Sequence, residues 1–390
     1  MTTQTTAVVK PARMLSLDVL RGLDIAFMIL VNNNGDERHA YWPLKHAAWN
    51  GFTPTDLVFP TFLFLVGIST VFSTASRLAQ GATRLSIFLH TLRRAAILFL
   101  LGQLVNNFPF FHLHTWRVYG VLPRIAICYL LVATFYLIRP SWRSAAAIAV
   151  GALAAYWILM RFVPVPGYGL PGRDIPLLDP DRNLVAWLDR QIFSAPHLYE
   201  RTRDPEGLLS TIPALATALF GLLTGMWIRT SRPLAEKAKG IAVAGLTAVI
   251  LGGLWNFEFP INKKLWTSSY VLFAAGLSLL LLALSIWIVD LRSKSTSGPA
   301  PAKPSPWLRP LIVFGTNAIF AYVFSELLAS VGFTVRVGSG GTTLQQCCSH
   351  GLLHVVPNAA FASLLYSLIF VAICWLPTYV LYRKGIFLKI

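Results

Sequence analysis

The chain has 390 residues, 55% of them hydrophobic and only 13% charged. Soluble proteins carry about 25% charged residues, so this composition excludes a disordered chain, a coiled coil and an ordinary soluble enzyme, and it indicates a polytopic membrane protein. Thirty-three Lys and Arg against 16 Asp and Glu leave a net charge of +17, read here as a topology signal rather than as a nucleic-acid footprint.

Ten hydrophobic segments follow one another: 15–33, 55–76, 86–107, 119–138, 144–163, 208–228, 240–257, 267–290, 309–332 and 359–382. Each is long enough to cross a bilayer. Backbone in lipid must satisfy its own hydrogen bonds, so all ten are expected to be helices. The predicted fold class is all-α, a polytopic integral membrane bundle of about ten transmembrane helices. Lys10 and Arg13 precede the first segment, but Asp18, Arg21 and Asp24 interrupt it and no small-residue cleavage site follows. It reads as a retained span rather than a cleaved signal.

Charge sets the orientation. With the N-terminus inside, the inner segments hold 17 basic residues against two acids, Glu236 and Asp290, while the outer ones hold 11 basic residues against ten acids. Both termini are therefore expected in the cytoplasm. Residues 292–308, rich in Pro, Ser and Ala, read as a cytoplasmic linker. It separates eight spans (1–291) from two (309–390) within a single 1–390 domain. The longest outer loop, 164–207, is expected to carry a short helix at 181–193 and, by its length, to be functional. Residues 333–358 form another outer feature with a Gly-rich turn.

Polar groups inside apolar spans are expensive and mark candidates. Asp18 and Arg21, three residues apart, fit an ion pair at the inner interface or a contact to a cytoplasmic anion. Arg93 and Arg94 can snorkel inward, whereas Arg124 follows Pro123 near the outer end of its span. Glu326 is an intramembrane carboxylate toward the outer end of the ninth span, Asn32, Asn33 and Asn34 end the first, and Asn317 follows Gly315 in the ninth. Seven of the eight histidines fall on the outer side, where a base acting near neutral pH is a reading that competes with plain interfacial placement. No acidic or Cys partner with convincing metal-ligand spacing accompanies the His112/His114 and His350/His354 pairs, so no metal site is expected.

The densest stretch is 41–60, YWPLKHAAWNGFTPTDLVFP. Thr53 as N-cap, Pro54 as first helical residue and Asp56 as the third-position acid form a capping box. His46 has no such structural role and is a candidate base or nucleophile. Trp42, Tyr41 and Trp49 read either as stacking surfaces for a ligand or as an interfacial aromatic belt. In 204–211 (DPEGLLST), Asp204 and Pro205 also resemble a helix start.

The runs SLDVLRG (16–22), KHAAWNGFTPTDLVFP (45–60), DPEGLLSTIPA (204–214), FPINKKLWTSSYVL (259–272) and GTNAIFAYVFSELL (315–328), in this order, resemble the heparan-α-glucosaminide N-acetyltransferase family and its bacterial relatives. The resemblance covers nearly the whole chain. It implies transfer of an acetyl group from cytoplasmic acetyl-CoA, as co-substrate, to an amine on glucosamine or a related amino sugar or glycan terminus across the membrane. It makes His46 the catalytic residue, as base or transient acetyl acceptor, with Asn32 (or Asn33 or Asn34) beside it and Asp56 orienting it. Asn50, Glu206, Asn262 and Glu326 fall on family motif positions and, with Trp49, are expected toward the acceptor. Arg124, Asn317 and Arg21 are expected toward coenzyme A, whose phosphates the basic inner face would attract. The chain carries no phosphate-binding loop or dinucleotide fingerprint. The implied setting is a bacterial inner membrane with lipid as partner, a homodimer is a reasonable assembly, and nucleic acid is not a partner. The alternatives are an amino-sugar transporter, for which repeats and broken helices are expected, and an O-acyltransferase of an envelope glycan.

Overall fold

The computed structural model describes residues 14–292, 305–338 and 341–388. Most of the expected linker, with Lys294 and Lys303, lies outside these residues, as do Lys10, Arg13, Lys389 and part of the Gly-rich turn. The helices in order are α1 (Leu15–Asn32), α2 (Val58–Ala79), α3 (Arg84–Asn107), α4 (Val121–Ile138), α5 (Trp142–Phe162), α6 (Leu184–Ile192), α7 (Thr211–Ile228), α8 (Leu234–Trp255), α9 (Ser268–Ser285), α10 (Arg309–Thr316), α11 (Ala318–Thr334), α12 (Leu344–Val355) and α13 (Ala359–Arg383). A 3-10 turn, Pro54–Leu57, leads into α2, and a π turn, Ile286–Leu291, extends α9. A two-residue hairpin pairs Arg336 with Thr343 and Val337 with Thr342 ahead of α12.

Among the described residues, eight helices are long and apolar enough to cross a membrane, and a bent pair makes up to nine. The first expected span, α1, carries Asp18, Arg21 and Asp24, and its inner part is buried in the bundle. The ninth expected span is not continuous. It breaks at Asn317, where α10 and α11 meet at 77°. The short outer helix appears as α6, capped by the Asn183 side chain on the Ala186 amide.

Two close approaches set the bundle. A Cβ on Gly67 of α2 would stand 2.0 Å from the Ala218 carbonyl oxygen of α7, and one on Gly221 would stand 1.9 Å from that of Phe64. Likewise Gly22 of α1 meets Leu311 of α10, and Gly315 meets Asp18. Small residues let backbones touch where lipid provides no hydrophobic drive between helices. Helix α2 is consequently central, with 72% of its apolar window buried, while α8, at 22%, and α3 and α13, each at 28%, turn most of their surface outward. A cluster around Ile25, Leu63, Ile125, Leu219, Trp266 and Tyr270 fills the space between α1, α2, α4, α7 and α9.

Candidate active site

The N-terminal end of α2, expected outside, is where the polar groups converge. Thr53 and Asp56 form the expected capping box, with Pro54 at the first position. Asp56 Oδ2 accepts from the Thr53 amide at 3.0 Å and the Ala47 amide at 3.1 Å. Its other oxygen, Oδ1, lies 2.7 Å from His46 Nδ1. The cap and the histidine thus share one carboxylate, and the two readings of Asp56 are compatible. The Tyr270 hydroxyl donates to the Asp56 carbonyl at 2.7 Å, fixing the turn to α9.

Asp56 is 1% exposed, and the His46 side chain is 41% exposed. An ionised carboxylate can only accept, so Nδ1 carries the proton and Nε2 keeps its lone pair. No protein group among the described residues bonds Nε2. Burial and the nearby Lys263 ammonium hold the His46 pKa below its ordinary value, outweighing the opposite pull of Asp56 and Glu206. The result is a neutral imidazole with one open nitrogen, held from behind.

A second loop, 259–267, lies against this one. The Gly51 amide donates to the Ile261 carbonyl at 2.8 Å, and Asn262 Nδ2 donates to Asn50 Oδ1 at 3.1 Å. Asn262 Oδ1 in turn accepts from the Leu265 amide at 2.9 Å. Asn50 and Asn262 therefore join the two loops beside His46. Trp49 donates Nε1 to the Leu178 carbonyl at 2.8 Å, and the Arg203 guanidinium covers its ring at 4.6 Å. That side chain already has partners on its edge and on one face.

Glu206 also belongs to this end, through an ion-pair cluster. Arg117 binds Asp204 with two bonds of 2.8 Å and Glu206 with one of 2.7 Å. Burial alone would raise the Asp204 pKa, but Arg117 holds it below the ordinary value. The expectation that Asp204 and Pro205 begin a helix is overturned: α7 begins at Thr211. Asp204 is instead the carboxylate clamped by Arg117, 87 residues away.

The remaining expected residues are distributed differently. Asn32 does not reach His46 by a hydrogen bond; its Nδ2 donates to Glu326 Oε1 at 3.3 Å. Asn33 donates to the Ile29 carbonyl and Asn34 to those of Val31 and Leu44, so both amides serve the backbone. Arg124, expected toward coenzyme A, is 1% exposed at the outer end of α4. It donates to the Gly207 carbonyl and Ser210, with its guanidinium over the Trp266 ring. It pins the 204–210 turn to α4 and presents no open face to a phosphate.

Arg21 and Asn317 stand at the other end of the bundle. Arg21 pairs with Asp18 at 3.4 Å and donates to Ser69 Oγ at 2.8 Å and the Gly315 carbonyl at 3.3 Å. It lines a cavity of about 380 Å³ that also holds Arg77, His90, Arg94, Ser69 and Ser73. Arg77 Nη2 is 2.7 Å from His90 Nε2. The cavity rises between α2, α3, α4 and the α10–α11 break as far as Phe62 and Ile125. Phe62 follows Asp56 by about 9 Å of helical rise. Asn317 faces a different way: its amide donates to the Ile386 carbonyl at 3.1 Å and accepts from the Leu388 amide at 2.9 Å.

Sequence reading missed Arg117, Lys263 and the grouping of Arg77, His90 and Arg94. Lys263 stood in plain view after Asn262, within a run that carried the resemblance. The others depend on contacts between distant helices and left no local signal.

Comparison with known proteins identifies the family. A family model described as heparan-alpha-glucosaminide N-acetyltransferase, catalytic, matches residues 13–251. The mouse (Mus musculus) protein named heparan-alpha-glucosaminide N-acetyltransferase is 28% identical over 431 aligned residues, which cover 97% of this chain and 60% of the relative. The human (Homo sapiens) protein of that name is 29% identical over 433, with the same coverage. The chain thus spans about 60% of the length of these relatives. With the family model matching more than half of the chain and both relatives aligning over nearly all of it, the protein is a member of the heparan-α-glucosaminide N-acetyltransferase family.

Proposed function

We propose that this protein is a multi-pass membrane N-acetyltransferase that moves the acetyl group of cytoplasmic acetyl-CoA to the amine of glucosamine or a related amino sugar on the opposite side of a bacterial inner membrane. The observation that carries this reading is that one helix, α2, joins two complementary sites. Its outer end holds a carboxylate-oriented histidine with Nε2 open. Its inner half lines a basic cavity with Arg21, Arg77, His90 and Arg94. Guanidinium groups suit phosphate esters, and the cavity's apolar upper wall suits an extended acyl carrier. With both termini inside, that cavity faces the cytoplasm.

In this scheme the acceptor amine attacks the thioester carbonyl as a neutral nucleophile. His46 Nε2 takes the amine proton, and Asp56 steadies the imidazolium that forms, as in other histidine–carboxylate pairs. Glu206 and Glu326 each give one oxygen to a protein partner, Arg117 and Asn32, and the second oxygen of each is left to hold the sugar.

Purified protein in detergent, given labelled acetyl-CoA and glucosamine, is expected to form an amide product that survives mild base. His46→Ala is expected to abolish it while the protein still elutes as a folded species. Wild-type turnover by His46→Ala removes the residue from the mechanism. An ester product moves the acceptor to a hydroxyl. One observation favours transport as a second reading, because the break at Asn317 is the kind of interrupted helix that transporters use. Counterflow of labelled sugar in liposomes without acetyl-CoA would establish it.

A further inference from the structure

Acyl transfer needs more than a base. As the amine nitrogen bonds to the thioester carbon, the carbonyl π electrons move onto oxygen, and the resulting oxyanion needs a donor aimed at it. The resemblance places Asn32 beside His46, but no hydrogen bond joins the two, and one of its two amide hydrogens goes to Glu326 at 3.3 Å. Arg117 is engaged by Asp204 and Glu206, and Arg124, whose Nη2 holds the 204–210 turn, is 1% exposed with Nε and Nη1 sealed inside the bundle.

Lys263 is different. It sits in the turn already seen to lie against His46. Four bonds hold that turn: the Trp266 amide to the Lys263 carbonyl at 3.1 Å, the Thr267 amide to the Asn262 carbonyl at 3.1 Å, the Asn262 amide to Thr267 Oγ1 at 3.0 Å, and the Leu265 amide to Asn262 Oδ1. Trp266 closes it in the left-handed region, at φ 55°, a conformation a bulky residue keeps only when its surroundings enforce it. Here full burial, the Thr217 hydroxyl and the Arg124 guanidinium enforce it. The neighbouring Lys264 is paired with Glu200 at 2.9 Å. No ion pair or hydrogen bond among the described residues engages Lys263 Nζ. Nor is that atom sealed among the buried unsatisfied polar atoms. A closely bonded turn, joined to Asn50 and Gly51, therefore carries an uncommitted ammonium beside the His46 loop.

We infer that Lys263 is a catalytic residue of the proposed acetyl transfer, its ammonium stabilising the oxyanion formed beside His46. The balance is complete. The C–N bond forms, the amine proton passes to His46 Nε2, and negative charge collects on oxygen against Lys263. Collapse then breaks the C–S bond, and the thiolate recovers the proton from His46. Supporting electrostatics point the same way. The charged groups around Lys263 are Glu206, Asp56, Lys264 and Arg124, with burial and the two cations holding its pKa below the ordinary lysine value. Lys263 in turn lowers that of His46.

This inference rests on the acetyltransferase reading, and the experiment separates the two. Lys263→Met, Lys263→Arg and Lys263→Cys are compared with the parent protein, the last in a Cys347→Ser/Cys348→Ser background so that aminoethylation is confined to position 263. Removing an oxyanion donor costs about 10²–10³-fold in kcat. Lys263→Met is expected to lose that much with little change in KM, Lys263→Arg to keep part of the rate, and aminoethylated Lys263→Cys to recover it. The acid limb of kcat/KM in Lys263→Met is expected to move to higher pH, because one cation facing His46 is gone. Lys263→Met with kcat within threefold of the parent overturns the inference. So does a folded Lys263→Cys that aminoethylation fails to rescue. No amide from the parent protein overturns the acetyltransferase reading itself, and the Lys263 role with it.

Discussion

Asp56 does two jobs with two oxygens. One satisfies the amides at the start of α2, and the other takes the Nδ1 proton of His46. An amide in its place retains the shape but not the meaning, since its NH2 can turn toward Nδ1 and reverse the tautomer. Asp56→Asn is therefore expected to lower kcat by about 10²–10⁴-fold, in line with loss of tautomer control in other histidine–carboxylate pairs. The pH dependence has a definite sign. Neutral His46 is the active form, and burial together with Lys263 disfavours its cation, so the acid limb of the parent profile should fall below the ordinary imidazole value of about 6.5. Asp56 pulls the other way, so Asp56→Asn should push the residual limb further down, opposite to Lys263→Met. Rate against pH for the two variants checks both signs, and a shift in the same direction for both would refute this account. At this scale the sequence was informative where chemistry is local. The capping box was visible at 53–56, and so was the histidine lacking a structural task. The pairing of Asn32 with Glu326 was not, because the two stand 294 positions apart.

The helices show the same division between local and distant causes. Hydropathy located the spans because lipid exposure is a property of composition. It could not show that 309–332 bends, since apolar residues continue on both sides of Asn317. Gly315, Thr316 and Asn317 were the only hint. What stabilises the break is remote: the Asn317 amide clasps the backbone at Ile386 and Leu388, in a two-bond pattern resembling a strand pair. That clasp sets Leu388 in the wall of the basic cavity. Asn317 thus acts on the cavity through the 386–388 segment rather than by touching a ligand. Asn317→Ala removes both bonds, worth about 0.5–1.5 kcal/mol each, and should release the segment. A Leu388→Cys reporter in the Cys347→Ser/Cys348→Ser background is expected to react several-fold faster with maleimide once Asn317→Ala is added. An unchanged rate means that α13 and the neighbouring wall hold the segment without the clasp. The misplaced helix start at Asp204 has a similar origin. Its residues suit a cap, but Arg117 offered the carboxylate two charge-assisted bonds, and the chain continued as a turn to Thr211.

For the whole molecule, function depends on which end of the bundle faces which compartment. The proposed reaction needs the basic cavity on the acetyl-CoA side and His46 on the other. The inner segments, read from charge alone, hold 17 basic residues against two acids. What charge could not reveal is the cavity itself, because α1, α2, α3, α4 and the α10–α11 break each contribute only part of its wall. The cysteines provide a direct test of orientation. Cys347 and Cys348 on α12 are exposed, whereas Cys128 and Cys374 are buried; the adjoining Gln345 donates to the Asn34 and Gly35 carbonyls, and Asn34 to that of Leu44, which sets α12 at the end of the bundle that holds His46. A membrane-impermeant maleimide added to intact spheroplasts expressing the protein is expected to label it without permeabilisation, and Cys347→Ser/Cys348→Ser should remove the signal. Labelling that appears only after the membrane is opened would place His46 in the cytoplasm. The basic cavity would then face away from the acetyl-CoA pool, and transfer across the membrane in the proposed direction would be untenable.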